Sequence, residues 1–244
     1  MSRPFPALLG ADPGAPFPPP AQALRDPDGL LAIGGDLSPQ RLLNAYAAGI
    51  FPWFSDGQPI LWWSPDPRMV FRTDALRLSS RLRRDLRHSP WQVRADTAFD
   101  AVVAACASSP RPGQDGTWIT ADMRRAYGDL HRLGHAHSIE VFDGPVLVGG
   151  LYGVAVGRMF FGESMFSGRS GGSKVALAML AAFLREQGWP LLDAQVENPH
   201  LLSLGAERMA RPAFLAAIAS LTAQPGLAGP WQTVFGQRPA SALG

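Results

Sequence analysis

VLVGGLYGVAVGRMFFGESMFSGRSGGSKVALAMLAAFLREQGWPLLDAQV, residues 146–196, is the stretch whose reading decides the fold. Two apolar runs, 146–156 and 158–166, flank a turn around Gly157, the pattern of neighbouring antiparallel strands. Residues 173–187 read as a helix closed by Gly188, and 190–196 as a further strand. Working outward, a strand over 138–142 ends at the Asp143-Gly144 turn, and a helix over Ala121–Leu133 is closed by Gly134. A helix over Ala98–Ser108 turns Phe99, Val102, Val103 and Cys106 inward, Ser80–His88 is an arginine-rich helix, and Trp91–Arg94 and Met69–Phe71 are short strands. Downstream come helices over 198–204 and 211–222, and everything after Gly226 reads as a loose tail. Antiparallel strands followed by a long helix and another strand predict an α+β, α/β-like domain with one central mixed sheet.

Upstream of residue 68 the texture changes, so the expected division is 1–67 and 68–244. Residues 1–22 are rich in Pro, Ala and Gly and read as irregular, Pro4 and Pro18-Pro19-Pro20 included. Turn signals at Pro27-Asp28-Gly29, Gly34-Gly35-Asp36 and Pro65-Asp66-Pro67 leave room for one short helix, capped by Ser38 with Pro39 first. Phe51, Trp53, Phe54, Trp62 and Trp63 would hold this small, loop-rich domain by their rings.

The totals fit an ordinary globular chain: 244 residues, 46% hydrophobic and 17% charged. Cys106 is the only cysteine, which rules out an internal disulfide and a thiolate zinc cage. The prolines near the N-terminus interrupt any signal-peptide core, and the apolar helical stretch Val175–Leu184 is too short to span a bilayer. A cytoplasmic protein without a membrane partner is expected, and nothing demands more than a monomer.

Four clusters are candidates for chemistry. Arg77, Arg81, Arg83, Arg84 and Arg87 form the densest set of cations; on one helix, Arg77, Arg81 and Arg84 would share a face suited to phosphate oxygens or to plain solvation. His131, His135 and His137 are interrupted by Gly134 and lack a zincin spacing, so no metal is expected. Gly168–Gly172 with Ser173 and Lys174 leads into a helix like a phosphate cradle, although a mobile loop with Ser173 as N-cap explains it equally well. Glu163, Asp193 and Gln195 stand in apolar strands, where a carboxylate is costly unless paired or used; period two would place Asp193 and Gln195 on one face.

Seven blocks carry a resemblance: Gly29-Leu-Leu-Ala-Ile-Gly-Gly-Asp-Leu-Ser38, Gly49-Ile-Phe-Pro-Trp-Phe54, Leu61-Trp-Trp-Ser-Pro-Asp-Pro-Arg68, Gly116-Thr-Trp-Ile-Thr120, Gly134-His-Ala-His-Ser-Ile-Glu-Val141, Phe161-Gly-Glu-Ser-Met-Phe-Ser167 and Asp193-Ala-Gln195. In this order, and with Tyr46, they resemble the leucyl/phenylalanyl-tRNA–protein transferases. The resemblance implies a small N-terminal domain and a GNAT-like acyltransferase domain. It also implies a donor, leucyl- or phenylalanyl-tRNA (methionyl less readily), and an acceptor protein with N-terminal Arg or Lys, marked for degradation by the transfer. No cofactor is implied.

By position, Asp193 and Gln195 would be catalytic, and Glu163 and Asn198 would bind the acceptor. Tyr46, Trp53, Trp118, Tyr127, Leu151 and Leu192 would surround the tRNA 3′ end and the aminoacyl group, and the arginines at 77–87 the tRNA phosphates. Leu151 departs from the family's methionine, and the Gly168–Gly172 loop is richer in glycine than the family's. An amide oxygen is too weak a base to take the amine's proton, so Gln195 is expected to orient the amine, with Asp193 fixing its amide or offering charge. Glu163, with Asp193, is expected to meet the acceptor's cationic side chain. The rivals are an acyl-CoA-dependent N-acetyltransferase and a plain RNA-binding module, which leaves Glu163, Asp193 and Gln195 without a task.

Overall fold

The computed structural model describes residues 5–109 and 117–244; Pro4 and Gly116, named above, lie outside them. Four short strands, β1 (Ala7–Leu9), β2 (Leu30–Gly34), β3 (Phe51–Pro52) and β4 (Leu61–Trp63), make a small sheet in the order β1-β2-β4-β3. β1 corrects the irregular reading within residues 5–22, whereas residues 24–67 are loop-rich as expected, with short strands and one helix between turns. Strands of two to five residues between turns are too short to show an alternation. The helix α1 (Pro39–Ala47) starts as expected: Ser38 Oγ accepts from the Arg41 amide at 3.4 Å and Pro39 takes the first position.

The rest of the chain runs β5 (Arg68–Arg72), α2 (Ser80–Leu86), β6 (Gln92–Ala95), α3 (Phe99–Ser108), α4 (Ala121–Arg132), β7 (Ala136–Asp143), β8 (Val146–Val156) and β9 (Met159–Ser167). It continues through α5 (Gly172–Glu186), β10 (Leu191–Gln195), α6 (Pro199–Ser203), β11 (Glu207–Met209), α7 (Arg211–Thr222), α8 (Gln232–Phe235) and β12 (Arg238–Pro239). Eight strands form one sheet in the order β11-β5-β10-β9-β8-β7-β6-β12. Neighbours are antiparallel except β9 and β10, which α5 joins as a parallel crossover, so the sheet is mixed and the class α+β, as expected. No helix among the described residues is long and apolar enough to cross a membrane.

Alternation assigns the two faces. Met69, Phe71 and Phe160 pack under α5 with Leu180 and Phe183, whereas Val70 and Phe161 pack with α3, α4, α1 and the small sheet through Val102, Tyr127, Tyr46 and Trp62. The small sheet therefore shares a core with the large one. On the other face α5 sits unusually close to β8: a Cβ on Gly149 would lie 2.4 Å from the Gly172 carbonyl carbon, so only glycine admits the helix there.

The loose-tail reading after Gly226 is overturned. β12 pairs with β6, and Trp231 is fully buried, stacked on His137 at 3.9 Å and in contact with Phe160, Phe183 and Trp189. One tryptophan inside a Pro- and Gly-rich segment has no period to reveal it. The arginine-rich helix is also shorter than expected: α2 ends at Leu86, and Arg77 precedes its N-cap, Ser79. Arg77, Arg81 and Arg84 therefore do not share one helical face.

Candidate active site

Parallel pairing of β9 and β10 stops at Phe161 and Asp193, and beyond those residues the strands part. A cavity of about 450 Å³ opens there, lined by residues of β3, β5, β8, β9, β10, α5 and α6 together with Trp53 and Trp118. Openings where neighbouring parallel strands separate are common ligand sites.

Glu163 stands where β9 reaches the cavity. Its Oε1 accepts from the Tyr46 hydroxyl at 2.8 Å and from Gln195 Nε2 at 2.6 Å, and its Oε2 from the Tyr127 hydroxyl at 2.7 Å. The two phenol oxygens are themselves 2.6 Å apart. Three oxygen–oxygen contacts thus close a ring, while two neutral phenols supply only two protons. A proton on Glu163, which turns one of its oxygens from acceptor to donor toward a phenol, completes the ring, and the direction of its pKa agrees: burial pushes the carboxyl from 4.5 up to about 7, against the hydrogen bonds from Tyr127, Tyr46 and Gln195. Burial likewise holds both phenols well above their ordinary range, so both keep their protons.

A pH effect of known sign follows. The folded chain binds the Glu163 proton more tightly than the unfolded one, so this contribution is full below about pH 4.5 and is lost as pH rises to about 7. Glu163→Gln should flatten the stability–pH profile across that window by up to about 3 kcal/mol, read from urea melts at several pH values. Glu140, buried with Thr97 and Ser138 as donors and also raised to about 7 by burial, would keep a slope of the same sign in the variant.

Asp193 and Gln195 both line the cavity, but simple alternation along β10 does not describe how they reach it. The register slips between them, placing Asp193 opposite Val70 and Gln195 opposite Met69, residues of opposite faces. Gln195 takes a left-handed backbone, φ 62°, at a cost of about 1–3 kcal/mol for a residue with a side chain. That backbone is held by Asp193, whose Oδ1 accepts from the Gln195 amide at 2.9 Å. Asp193 is held in turn by Arg68, with Nε to Oδ1 at 2.8 Å and Nη2 to Oδ2 at 2.6 Å, both side chains fully buried. Arg68 also donates to the Gly49 carbonyl at 3.1 Å and lies between the rings of Phe51 and Phe214. Asp193 therefore fixes the backbone of Gln195, not its side-chain amide, and its charge is spent on Arg68. Arg68 had no role in the sequence reading; its signal, a cation heading an apolar strand, is equally that of a solvated strand end.

The walls are apolar and aromatic. Leu151 and Leu192 line the cavity, joined by Phe71, Phe160, Met165, Leu177 and Leu180, which residue type alone does not separate from core. Trp53 presents a partly exposed ring beside Trp63, 5.7 Å between centroids, and Trp118 contributes a second indole. Tyr46 and Tyr127 are fully buried and do not line the cavity; they reach it through Glu163. Asn198 lines it while its Oδ1 caps α6, accepting from the His200 amide at 2.7 Å.

Arg77, Arg81, Arg83, Arg84 and Arg87 are all exposed, and Arg77 ties to the far end of α6 through its amide, which donates to the Leu204 carbonyl at 2.8 Å. The glycine-rich loop is not an open anion cradle: the Ser173 amide donates to Ser167 Oγ and the Gly172 amide to the Arg169 carbonyl. The N-cap of α5 is Gly171, not Ser173. His131 and His137 bond through Nδ1 to the Ala136 carbonyl and to Asp96.

Comparisons with known proteins bear on this geometry. The family profile described as Leucyl/phenylalanyl-tRNA protein transferase matches residues 70–219, and that of its N-terminal domain matches residues 35–66. Two relatives called Leucyl/phenylalanyl-tRNA--protein transferase come from Xanthomonas. That of Xanthomonas axonopodis pv. citri (strain 306) is 74% identical, covering 100% of this chain and 98% of its own. That of Xanthomonas euvesicatoria pv. vesicatoria (strain 85-10) is 71% identical, covering 98% and 95%. Among solved structures, a GCN5-related N-acetyltransferase from Kribbella flavida aligns with a TM-score of 0.38 at 13% identity, covering 82% of this chain and 76% of that one.

Proposed function

The chain belongs to the leucyl/phenylalanyl-tRNA protein transferase family, and from that premise we propose that it moves leucine or phenylalanine, and methionine less readily, from tRNA to the α-amine of proteins beginning with Arg or Lys, marking them for degradation. The observation that carries the reading is the hydrogen bond from Gln195 Nε2 to Glu163, which leaves the amide oxygen of a cavity-lining residue as the acceptor for an incoming amine.

In this reading the neutral amine nitrogen attacks the aminoacyl ester carbonyl, a tetrahedral oxyanion forms, and the C–O bond to the tRNA 3′-oxygen breaks as a proton from the amine passes to that oxygen. A free α-amine titrates at about 7.7–8, so near neutral pH most of it must lose a proton before attacking, and the unprotonated fraction then needs aiming. Gln195 aims it. Glu163, Asp193 and Arg68 are positioning residues that lock the amide and backbone of Gln195. Leu151, Leu192 and their apolar neighbours take the aminoacyl side chain; such pockets separate near-isosteric groups by only about 1–3 kcal/mol, which suits a donor set of Leu, Phe and Met. Trp53 and Trp118 offer stacking planes for the terminal adenine, and the exposed arginines of 77–87 contact the acceptor-stem phosphates. The protein would act in the cytoplasm as a monomer.

The test is transfer of labelled leucine from leucyl-tRNA to a peptide beginning with Arg, beside the same peptide beginning with Ala. Transfer to the first alone is expected; transfer to neither, with folded protein and intact leucyl-tRNA, would overturn the reading. An acyl-CoA acetyltransferase is disfavoured because the helix N-terminal amides that would hold a pyrophosphate already bond to Ser167 and Arg169.

A further inference from the structure

Three carboxylates line the cavity among the described residues, Glu163, Asp193 and Glu197, and two of them are turned inward. Asp193 is fully buried and forked onto Arg68, and Glu163 already accepts from Tyr46, Tyr127 and Gln195. A guanidinium or ammonium on an acceptor peptide needs a carboxylate that is ionised, reachable and not fully paired. Glu197 is left. It is exposed, in the loop between β10 and α6, two residues beyond Gln195.

Resting on the aminoacyl-transfer reading above, we propose that Glu197 is the specificity-determining carboxylate that receives the cationic side chain of the acceptor's first residue, with Arg208 as the strut that aims it. Two residues span at most about 7 Å, and the tight turn at Gln195, where the Val196 amide donates to the Ala194 carbonyl at 2.8 Å, only shortens this. An amine at Gln195 therefore has Glu197, which lines the same cavity, within reach of its own lysine or arginine side chain. Arg208 stands on β11, and its Nε and Nη2 meet Glu197 Oε2 and Oε1, each at 2.5 Å. A carboxylate offers about four acceptor positions and this fork takes two, which leaves room for a second cation without displacing the first. The hydrogen bonds from Arg208 hold the Glu197 carboxyl below its ordinary range, so it stays ionised wherever the amine is reactive. This assignment moves cation recognition away from Glu163, which the sequence reading had favoured.

The experiment measures kcat and KM for peptides beginning with Arg, Lys, Ala and Glu, using wild type, Glu197→Gln and Glu197→Lys. Glu197 is exposed, so both variants should fold, and equal Tm values check this. Glu197→Gln is expected to raise KM for the Arg and Lys peptides about tenfold, with the loss in KM rather than kcat and the KM for leucyl-tRNA unmoved. Glu197→Lys should shift the preference toward the peptide beginning with Glu. If wild type transfers leucine to the Arg peptide and both variants keep the full Arg-over-Ala ratio, Glu197 is not the recognition residue and the transferase reading stands. If wild type transfers leucine to no peptide, the transferase reading falls, and the proposal with it.

Discussion

Arg68→Ala should lower stability by about 3–5 kcal/mol and stop transfer in whatever protein remains folded. The charge of Asp193 would stay buried with no cation beside it, the Gly49 carbonyl would lose its donor, and the rings of Phe51 and Phe214 would face a void. Urea melts give the first number and peptide transfer the second. The double variant Arg68→Met/Asp193→Leu separates the two effects. Replacing both charges with apolar groups of similar volume should recover most of the stability, because a buried pair adds little over well-packed hydrophobes. Transfer should not recover, since the Gln195 amide would have lost the Oδ1 that holds its left-handed backbone. If the double variant turned over like wild type, the pair would be packing and nothing more.

Trp231→Ala is the second large effect expected, a loss of about 3–5 kcal/mol from a segment that the sequence alone reads as a tail. The indole is fully buried among Phe160, Phe183, Trp189 and His137, and its backbone amide donates to Asp96 at 2.6 Å. Asp96 also accepts from His137 Nδ1 at 2.8 Å, so the C-terminal segment closes a buried polar cluster as well as an aromatic one. Phe160 lines the cavity, which links the segment to the apolar wall proposed to take the aminoacyl side chain. The variant should therefore show both a lower urea midpoint and a weakened preference between leucyl- and phenylalanyl-tRNA. A midpoint within experimental error of wild type would mean that residues after Gly226 are dispensable.

The elements legible in the sequence were those long enough to show their period or bounded by a strong stop. β8 over 146–156 and α7 over 211–222 were read as they stand, and α5 was displaced by one residue, because Gly157 and Gly188 end their neighbours sharply. The small sheet was hidden because its strands are two to five residues long, and β12 because two residues carry no pattern. The site was legible where it was expensive: Glu163 and Asp193 stand out as charges inside apolar strands. What was illegible is relational. The slip at Gln195, the Arg68 partner of Asp193 and the two phenols on Glu163 depend on β5, α1 and α4 meeting at one point. A fork between Glu197 and Arg208 also needs the loop after β10 to lie beside β11, which no local pattern announces.

The most direct test of the central claim, that the Gln195 amide aims the attacking amine, is single-turnover transfer of labelled leucine from leucyl-tRNA to a saturating peptide beginning with Arg. Wild type would be compared with Gln195→Asn. Asparagine tolerates the left-handed backbone at this position and withdraws the amide by one methylene, so the fold is spared while the aim is lost. The expected result is a rate lower by on the order of a hundredfold, with the affinity for leucyl-tRNA unchanged. A wild-type rate in folded Gln195→Asn would contradict the claim and place the aiming group elsewhere in the cavity.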